Sequence, residues 1–340
     1  MNIVIAVPTL SLGGAEKLAA LQAEEFTKRG HKVTLLTLLD VPDFYDVKVN
    51  RVRLNLKETP FYKNPFAPFI RVYKTAKVLP GADIVISHMS VVACYGARVK
   101  KIPFIFAEHS NIYTRKLWPQ KTFILRRAVS AVTLSERDAK LFESKKIKTK
   151  IIYNPALPPG VKEDKKPPFF GAHTVLAAGR LVKEKGFDLL AEAWSKVKNK
   201  KDFKLVIAGE GPERKNLPSG FLAGAQKDIG ALYKYADIFV LSSRTEAFPL
   251  ALCEAMSYGL PAIAFNVTGA DIIVRDKKDG FLIERENTDS FAAALQILID
   301  DDAKRKEMSA SALEVKERFS LDKYINAWED LLNTVTTGPQ

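Results

Sequence analysis

The sequence predicts an α/β protein made of two doubly wound domains, each with a parallel sheet between layers of helices. Short apolar runs alternate with helical stretches along most of the chain, a pattern typical of parallel sheets. The length of 340 residues exceeds the size at which one hydrophobic core usually stops growing. Five prolines and a charged cluster interrupt the alternation between Asn154 and Phe170. We therefore predict domains at residues 1–157 and 158–320, with a helix in 321–340 that packs back on the first domain.

The first domain opens with a β-α-β unit. Strand Ile3–Val7 precedes the pair Gly13-Gly14, and a helix over 15–29 is stopped by Gly30. The next strand is Lys32–Leu38. Further strands are predicted at 84–87, 104–106, 131–134 and 150–153.

The second domain repeats the alternation after the proline-rich interruption. A helix is expected to begin at Pro249, since proline is favoured at the first helical position, and to end at Gly259. Strands are predicted at 175–178, 204–208, 238–241 and 261–265, and the other helices at 187–197, 226–235 and 289–298.

Composition indicates a cytoplasmic protein with reduced thiols. Cys94 and Cys253 lie in apolar stretches and show neither disulfide nor metal spacing, so both are expected to be buried and inert. The amino terminus lacks a basic segment before its apolar run, and no apolar run approaches the roughly 18 residues of a spanning helix. We expect a cytoplasmic chain that associates at most with the inner face of a membrane.

The positive charge is confined to the first half of the chain. Residues 1–157 hold 26 basic and 12 acidic side chains, a net charge of +14, whereas residues 158–340 carry −1. Such asymmetry indicates an anionic partner of the first domain, whether a membrane surface, a phosphorylated acceptor or nucleic acid. Aromatic and basic residues alternate in 57–77 and 115–127, which favours an anionic lipid surface. No RNA-binding aromatic signature is present, so nucleic acid is not expected.

Two acidic residues carry the clearest functional signal. Glu246 follows the strand-like run Ile238–Leu241, and Glu254 lies on the helix expected to begin at Pro249. Ligands of open α/β sheets bind outside the carboxyl ends of the strands. Two carboxylates at that edge can accept hydrogen bonds from the hydroxyls of a sugar and a ribose.

A phosphate site is predicted at the same edge of the second domain. Arg180 and Lys185 follow the domain's first strand, where two cations could neutralise a diphosphate. In the first domain, Gly13 and Gly14 lie between a strand and a helix, where glycine lets the backbone approach an anion. Isolated cations are more often solvated and glycine pairs are more often simple turns, but here the neighbouring features agree.

A histidine ends one of the predicted strands of the first domain. His109 follows the run Phe104–Ala107 and could donate a hydrogen bond to a sugar hydroxyl. His88 ends an equivalent run, and a structural role is expected for it. No set of residues has the spacing of a metal site.

Together these residues resemble the family 4 retaining glycosyltransferases of the GT-B fold, which has two Rossmann-like domains facing across a cleft. The resemblance covers essentially the whole chain and is strongest after Val175. The motifs that carry it are Gly13-Gly14-Ala-Glu16, Gly179-Arg180-Leu with Lys185-Gly186, the E-x7-E pair Glu246 and Glu254, Gly259-Leu-Pro261, and Asp279-Gly280-Phe-Leu.

The resemblance implies a role for each matching residue. The first domain would bind the acceptor and the second the nucleotide sugar, with UDP-sugars favoured and a glycan or lipid-linked acceptor. Arg180 and Lys185 would stabilise the leaving diphosphate without a metal or other cofactor. The remaining contacts would be Glu254 with the ribose, Glu246 and His109 with the donor sugar, Gly13 and Gly14 with the diphosphate, and Phe248, Pro249 and Leu250 with sugar and phosphates.

One residue departs from the family pattern, and other functions remain open. Ala247 stands where relatives commonly have glycine, which bears on the choice of donor. An inverting transferase or an epimerase of the same fold would share most of these motifs. A non-enzymatic protein that binds membranes or nucleic acid would explain the charge of the first half but not the ordered motifs of the second.

Overall fold

The computed structural model describes residues 1–11, 13–57, 66–79, 81–110 and 118–336. The chain divides into two compact units. Unit 1 comprises Met1–Asn154 with Asp322–Gln340, and unit 2 comprises Pro155–Leu321.

Unit 1 is built on a seven-stranded sheet in the order β3-β2-β1-β4-β5-β6-β7, and every strand pair is parallel. The central strands are buried on both faces because helices cover the sheet. The strands are β1 (Asn2–Val7), β2 (Lys32–Leu39), β3 (Asn50–Leu56), β4 (Ile84–His88), β5 (Phe104–Ala107), β6 (Ser130–Thr133) and β7 (Thr149–Ile151). The helices that precede the last strand are α1 (Gly14–Lys28), α2 (Ala67–Lys77), α3 (Val91–Val99), α4 (Pro119–Leu125) and α5 (Glu136–Ser144).

Unit 2 repeats this plan with six parallel strands in the order β10-β9-β8-β11-β12-β13. Its strands are β8 (His173–Ala178), β9 (Phe203–Ala208), β10 (Leu222–Gly224), β11 (Ile238–Leu241), β12 (Ala262–Phe265) and β13 (Gly280–Ile283). Its helices are α6 (Phe187–Lys196), α7 (Ile229–Tyr235), α8 (Leu250–Met256), α9 (Ala270–Ile273), α10 (Thr288–Asp300), α11 (Asp302–Ala312) and α12 (Val315–Arg318).

The last helix, α13 (Leu321–Thr336), packs on the sheet of unit 1. Arg29 after α1 donates hydrogen bonds to Asn326 at 2.6 Å and to Glu329 at 2.7 Å. Trp328 of α13 is buried and lies beside the ring of His88, with 6.2 Å between centroids. The helix therefore packs beside the end of α1 and against His88 at the end of β4.

The predicted α/β class with two doubly wound sheets is confirmed, but three strands were not predicted. The edge strand β3 alternates polar and apolar residues and carries Arg51 and Arg53, so it lacks the apolar run of a buried strand. Strand β10 has three residues and β13 has four, which is too short for a periodic signal.

Two helices also have boundaries that differ from the prediction by three residues. Pro249 is the N-cap of α8, and the helix ends at Met256, three residues before Gly259. Helix α7 begins at Ile229 because the carboxylate of Asp228 caps it by accepting a hydrogen bond from the Ala231 N–H. In the described part of the chain, no helix is long and apolar enough to cross a membrane.

Both cysteines are buried, as predicted. Burial raises the pKa of the Cys94 thiol to about 12 and raises the pKa of the Cys253 thiol further. Neither thiol is therefore a reactive thiolate near neutral pH.

Candidate active site

The candidate site of unit 2 lies where the strand order of its sheet reverses. After β8 the chain continues to β9 and β10 on one side, and it then returns to β11 on the other side of β8. Because β8 and β11 are parallel neighbours, their carboxyl ends lie at the same edge of the sheet. Such a reversal point is where open α/β sheets bind ligands.

Lys185 and Glu246 meet at this edge. The Lys185 ammonium follows β8 and donates to Glu246 Oε1 at 2.6 Å, and Ser243 Oγ donates to the same oxygen at 2.7 Å. The exposed fractions are 27% for the lysine side chain and 11% for the glutamate side chain, so water screens the pair only in part. An ammonium has three protons, and Glu246 takes one of them. Two donors on a positively charged group remain for an anionic ligand.

Backbone contacts hold the two loops together around this ion pair. Gly186 has φ +62°, and a Cβ added to it would lie 2.0 Å from the Ser242 carbonyl oxygen. Ser242 Oγ donates to the Lys185 carbonyl oxygen at 3.0 Å, and the Arg244 N–H donates to the Glu184 carbonyl oxygen at 2.8 Å. Only glycine fits at position 186, because any side chain would separate the two loops.

A bidentate ion pair also joins the same two loops. The Arg244 guanidinium donates to both carboxylate oxygens of Asp188 at 2.7 and 2.8 Å, and to the Lys183 carbonyl oxygen at 2.9 Å. Hydrogen bonding from Arg244 holds the pKa of Asp188 well below its usual range. The first turn of α6, which carries Asp188, is thereby fixed to the loop after β11.

Arg180 lies on the same loop as Lys185, two residues after β8. Its side chain is exposed and forms no hydrogen bond or ion pair with any described residue. Gly209, which follows β9 and has φ +149°, packs against this loop. A Cβ added to Gly209 would lie 1.8 Å from the Gly179 carbonyl oxygen. The guanidinium is therefore a planar donor without a partner among the described residues, and the backbone that carries it is held by the contact with Gly209.

Glu254 lies on α8, as predicted, and is partly buried. The hydroxyl of Tyr233 on α7 donates to Glu254 Oε2 at 3.3 Å. Burial raises the pKa of Tyr233 well above its usual value, with a further contribution from the Glu254 charge. The tyrosine therefore stays protonated and serves as a fixed donor to the carboxylate.

The segment between the two glutamates packs closely against the loop before α9. Phe248 and Pro249 are buried, and Leu250 is half-buried at the first position of α8. Gly269 has φ +85°, and an added Cβ would lie 2.5 Å from the Ala247 carbonyl oxygen. Ala247 is not among the described residues with positive φ, so its methyl group requires no strained backbone.

The predicted glycine pair of unit 1 lies at the amino end of α1. Gly13 is the N-cap residue and Gly14 the first helical residue. A Cβ on Gly13 would lie 2.2 Å from a carboxylate oxygen of Glu16, and the Tyr45 hydroxyl donates to the Gly13 carbonyl oxygen at 3.1 Å. The glycine thus allows Glu16 to fold back over the start of the helix, where a negative charge is favourable.

His109 belongs to a hydrogen-bonded group in unit 1 in which His88 and Gln22 are buried and His109 itself is half-buried. Its Nε2 lies 2.8 Å from Nδ1 of His88, the last residue of β4, and His88 Nε2 lies 2.8 Å from Gln22 Oε1 on α1. Burial lowers the pKa of His109 to about 4, although the charge of Glu108 opposes the shift, and burial also lowers the pKa of His88. Both imidazoles are neutral at pH 7.

Glu108 anchors the loop that carries His109. This carboxylate is 3% exposed, and it accepts hydrogen bonds from Lys121 Nζ at 2.5 Å and Ser110 Oγ at 2.7 Å. The fully paired charge fixes the chain on both sides of the histidine. Part of the predicted lipid-facing segments, 58–65 and 115–117, lies outside the described residues.

Several residues of these sites were not singled out from the sequence. Gly209 was not singled out, and His88 was expected to have a structural role. Ser243 lies three residues before Glu246 but belongs to no recognised motif, and Tyr233 approaches Glu254 only through the fold. Among the described residues, no group of three His, Cys, Asp or Glu side chains is placed to hold a metal ion.

The comparisons with known proteins agree with this architecture. Residues 12–156 match the model of the Glycosyltransferase Family 4 domain, and residues 162–315 match the model of Glycosyl transferases group 1. A glycosyltransferase of Haemophilus influenzae is 28% identical over 346 residues, covering 95% of this chain and 97% of that protein. The GalNAc-alpha-(1->4)-GalNAc-alpha-(1->3)-diNAcBac-PP-undecaprenol alpha-1,4-N-acetyl-D-galactosaminyltransferase of Campylobacter jejuni is 26% identical, covering 98% of this chain and 99% of that protein.

Solved structures share the fold at lower identity. A sucrose-phosphate synthase from Thermosynechococcus elongatus superposes with a TM-score of 0.79 at 18% identity, covering 99% of each chain. HepE of Anabaena, solved with UDP and glucose, gives a TM-score of 0.78 at 18% identity, with 98% of this chain and 99% of that chain covered. These similarities, together with the two domain matches, show that the chain belongs to the glycosyltransferases of the GT-B fold, with a family 4 domain followed by a group 1 domain.

Proposed function

We propose that the chain is a retaining hexosyltransferase that moves a sugar from a UDP-sugar to a glycan or lipid-linked acceptor. The observation that carries the proposal is the Lys185 and Glu246 ion pair at the reversal point of the unit 2 sheet, with the free guanidinium of Arg180 on the same loop. Cations and a carboxylate at one sheet edge suit a ligand that carries both a diphosphate and hydroxyls.

The donor and acceptor classes are supported by the relatives. HepE of Anabaena was solved with UDP and glucose, and the Campylobacter jejuni relative is named for transfer to an undecaprenol diphosphate glycan. An Escherichia coli relative, 33% identical over 141 residues, is named as a UDP-Gal:alpha-D-GlcNAc-diphosphoundecaprenol alpha-1,3-galactosyltransferase. We extend this donor and acceptor chemistry to the present chain.

In the proposed reaction, the bond between the anomeric carbon and the diphosphate oxygen breaks as the acceptor oxygen attacks from the same face. Attack from this face preserves the anomeric configuration, and the leaving diphosphate takes up the acceptor's hydroxyl proton, which balances the charge. Lys185 and Arg180 stabilise the negative charge that develops on the diphosphate, which is the largest contribution that we assign to the protein. Protein cations thus take the role of a divalent metal.

The other site residues receive binding roles. Glu254 holds the ribose hydroxyls, with its carboxylate oriented by Tyr233. Glu246 and His109 contact the donor sugar, and Phe248, Pro249 and Leu250 supply apolar surface and backbone groups beside it. Gly13 and Gly14 contact the diphosphate.

An aromatic face of unit 1 supports docking on an anionic membrane. Phe69, Ile70 and Tyr73 are 72%, 45% and 61% exposed, and their spacing places them on one side of α2. Lys77 lies on the same side with its ammonium 4.9 Å from the centre of the Tyr73 ring. Exposed rings bordered by lysines are typical of helices that lie in the headgroup region of a bilayer.

A second group of exposed aromatic side chains lies at helix α4 and its N-cap. Trp118 is 67% and Phe123 is 54% exposed, and the Arg127 guanidinium lies 3.9 Å from the centre of the Phe123 ring. Both α2 and α4 pack against α3. We propose a peripheral position on the inner face of the membrane, where a lipid-linked acceptor is within reach.

A screen of nucleotide sugars tests the donor assignment. A bound donor raises the melting temperature by mass action, since it binds the folded state. We expect UDP-sugars to raise the melting temperature of the wild-type protein whether or not EDTA is present. The rise should be smaller in Lys185→Ala. Stabilisation by another nucleotide sugar alone, or only in the presence of a divalent metal, would overturn the donor or the metal assignment. Inverted anomeric configuration in the product would overturn retention.

A further inference from the structure

The short 3₁₀ turn that carries Lys185 is held by the loop after β11 through three consecutive carbonyl groups. The Arg244 guanidinium donates to the Lys183 carbonyl oxygen at 2.9 Å, and the Arg244 N–H donates to the Glu184 carbonyl oxygen at 2.8 Å. The Ser242 hydroxyl donates to the Lys185 carbonyl oxygen at 3.0 Å. Two of these three bonds therefore come from Arg244.

Arg244 is itself oriented by Asp188 in the first turn of α6. Its guanidinium donates to both carboxylate oxygens, at 2.7 and 2.8 Å. Hydrogen bonding between the two side chains lowers the pKa of Asp188 and raises the pKa of Arg244, so both groups are charged at neutral pH. Because a guanidinium is planar, this bidentate bond also fixes the direction of the N–H that reaches the Lys183 carbonyl oxygen.

The turn depends on these contacts because a glycine follows Lys185. Gly186 has φ +62° and is the N-cap of α6. Glycine restricts the backbone less than any other residue, so the direction of the Lys185 side chain must be fixed by contacts with neighbouring elements. The Lys185 ammonium lies 2.6 Å from Glu246, which is on the same loop as Arg244. Arg244 thus sets both ends of the distance that the lysine side chain spans.

Arg244 is already engaged with protein groups. Its guanidinium makes three hydrogen bonds, two with Asp188 and one with Lys183, and its Nε lies 3.6 Å from Glu286 Oε1. The charges of two carboxylates therefore surround it. This arrangement suits a residue that holds the protein backbone better than one that binds an anionic ligand directly.

We propose that Arg244, oriented by Asp188, is a positioning residue that fixes the turn of Lys185 and so directs the Lys185 ammonium toward the diphosphate of the donor. Arg244 acts through Lys185 and does not touch the ligand. The inference rests on the proposed function for the identity of the ligand. The hold on the turn is a property of the free protein.

Hydrogen exchange of the ligand-free protein measures this hold. The N–H groups of Lys185 and Gly186 donate within the turn, to the Val182 carbonyl oxygen at 3.0 Å and the Lys183 carbonyl oxygen at 3.1 Å. In Arg244→Gln these two amides should exchange faster, because the turn opens more often, while the amides of β12 keep their wild-type rates. Unchanged exchange at both amides would overturn the proposal.

Lys183→Gln is the matched control for the exchange experiment. The Lys183 ammonium donates to the same Asp188 carboxylate, at 2.5 Å, but it bonds no carbonyl group of the turn. We expect wild-type exchange at Lys185 and Gly186 in this variant. Equal acceleration in Lys183→Gln and Arg244→Gln would show that loss of any cation beside Asp188 is sufficient, and would contradict a specific role of Arg244.

Affinities for UDP and uridine separate positioning from charge. Arg244→Gln should weaken the binding of UDP by about tenfold, the low end of what one charged hydrogen bond contributes, and leave uridine binding unchanged. Arg244→Lys keeps the positive charge but lacks the planar fork, so it should show the same loss. Wild-type affinity for UDP in Arg244→Lys would show that only the charge matters and would overturn the proposal.

A comparison in two backgrounds shows whether Arg244 acts through Lys185. In Lys185→Ala, the further change Arg244→Gln should cause little additional loss of UDP affinity, because the group that it positions is gone. The same loss in both backgrounds would contradict the proposal. If Arg244→Gln does not fold, Asp188→Asn replaces it, and this variant should show a smaller loss with the same dependence on Lys185.

The two kinds of measurement also separate this inference from the proposed function. Failure of the wild-type protein to bind UDP or any UDP-sugar would overturn the proposed function. The exchange rates of the ligand-free variants would still decide whether Arg244 holds the turn of Lys185.

Discussion

The ammonium of Lys185 and the carboxylate of Glu246 form a 2.6 Å ion pair that joins the loops after two neighbouring parallel strands. The residues are 61 positions apart in the chain. Ser243 binds the same carboxylate oxygen, and Gly186 permits the close approach of the two loops. The pair therefore holds a cation in place before any ligand arrives, and such preorganisation is what electrostatic stabilisation of a leaving group requires.

Replacement of the lysine tests its role in turnover. We expect Lys185→Ala to lower kcat by about 10²- to 10³-fold, the loss typical when one preorganised electrostatic donor is removed. The fold should survive, because Glu246 keeps its bond with Ser243. Lys183→Ala is the matched control, since Lys183 lies on the same turn but its side chain is 63% exposed and pairs with Asp188. Similar rates for both variants would remove Lys185 from the mechanism.

Changes at Glu254 are expected to act on the nucleoside. Glu254→Ala should weaken the binding of UDP and uridine by the same factor, because the proposed contact is with the ribose that both contain. Tyr233→Phe removes one hydrogen bond to that carboxylate, which corresponds to about 0.5–1.5 kcal/mol and hence a smaller loss. Calorimetry measures both affinities. A loss confined to UDP would place Glu254 near the phosphates instead.

A glycine that packs against the loop after β8 should control the stability of unit 2. A Cβ at Gly209 would overlap the Gly179 carbonyl oxygen at 1.8 Å, and its φ of +149° disfavours any side chain. We expect Gly209→Ala to lower the free energy of unfolding by more than about 3 kcal/mol, since the loop must move. In Gly220→Ala an added Cβ has nothing within 4 Å, so this control should change stability little. Urea unfolding of both variants provides the comparison, and equal midpoints would contradict the close approach.

The buried histidines predict acid sensitivity. His109 has a pKa of about 4 in the folded protein and about 6.5 when unfolded, so the unfolded chain binds more protons between these values. Stability should therefore rise with pH across this window and fall on acidification, with His109 contributing roughly 3 kcal/mol. His88 adds to the effect in the same direction.

Denaturation at a series of pH values measures this slope. His109→Gln should flatten the dependence of the unfolding free energy between pH 6.5 and 4, because the substituted side chain does not titrate. The same slope in the variant and the wild type would show that other groups cause the acid sensitivity.

The aromatic face of α2 should determine membrane binding. Phe69→Ser should lower the affinity for vesicles that contain phosphatidylglycerol by about tenfold, because burial of one large apolar side chain contributes roughly 1.5–3 kcal/mol. Sedimentation with the vesicles measures this affinity. Phe44 is 62% exposed elsewhere in unit 1, so Phe44→Ser is the matched control. Lys74→Glu with Lys77→Glu should abolish the preference for anionic over neutral lipid. If all variants bind the vesicles equally, this face of α2 is not the membrane-binding surface.

The fold was largely predictable because its central strands are buried on both faces. Runs such as Ile238–Leu241 and Phe104–Ala107 need apolar residues throughout, and this gives a strong signal. The edge strand β3 has one open side and tolerates Arg51 and Arg53, so its sequence does not distinguish it from a loop. Short elements such as β10 depend on their neighbours rather than on their own sequence.

Site residues could be proposed from the sequence only where they lie at a strand end or in a known motif. Arg180, Lys185, Glu246 and Glu254 were proposed in that way, and the structure brings Lys185 to Glu246 as a bonded pair. The contacts of Gln22 with His88 and of Tyr233 with Glu254 join residues 66 and 21 positions apart, and no spacing rule predicts them. Supporting residues therefore required the structure.

The most direct test of the account compares the affinity for UDP with that for uridine, by calorimetry, in the wild type and in Arg180→Gln with Lys185→Gln. We expect the wild type to bind UDP about 100-fold or more tightly than uridine, because two charged donors each contribute roughly 1.5–3 kcal/mol to binding the diphosphate. In the double variant this difference should largely disappear while uridine affinity is kept. An unchanged preference for UDP would contradict the assignment of Arg180 and Lys185 to the diphosphate.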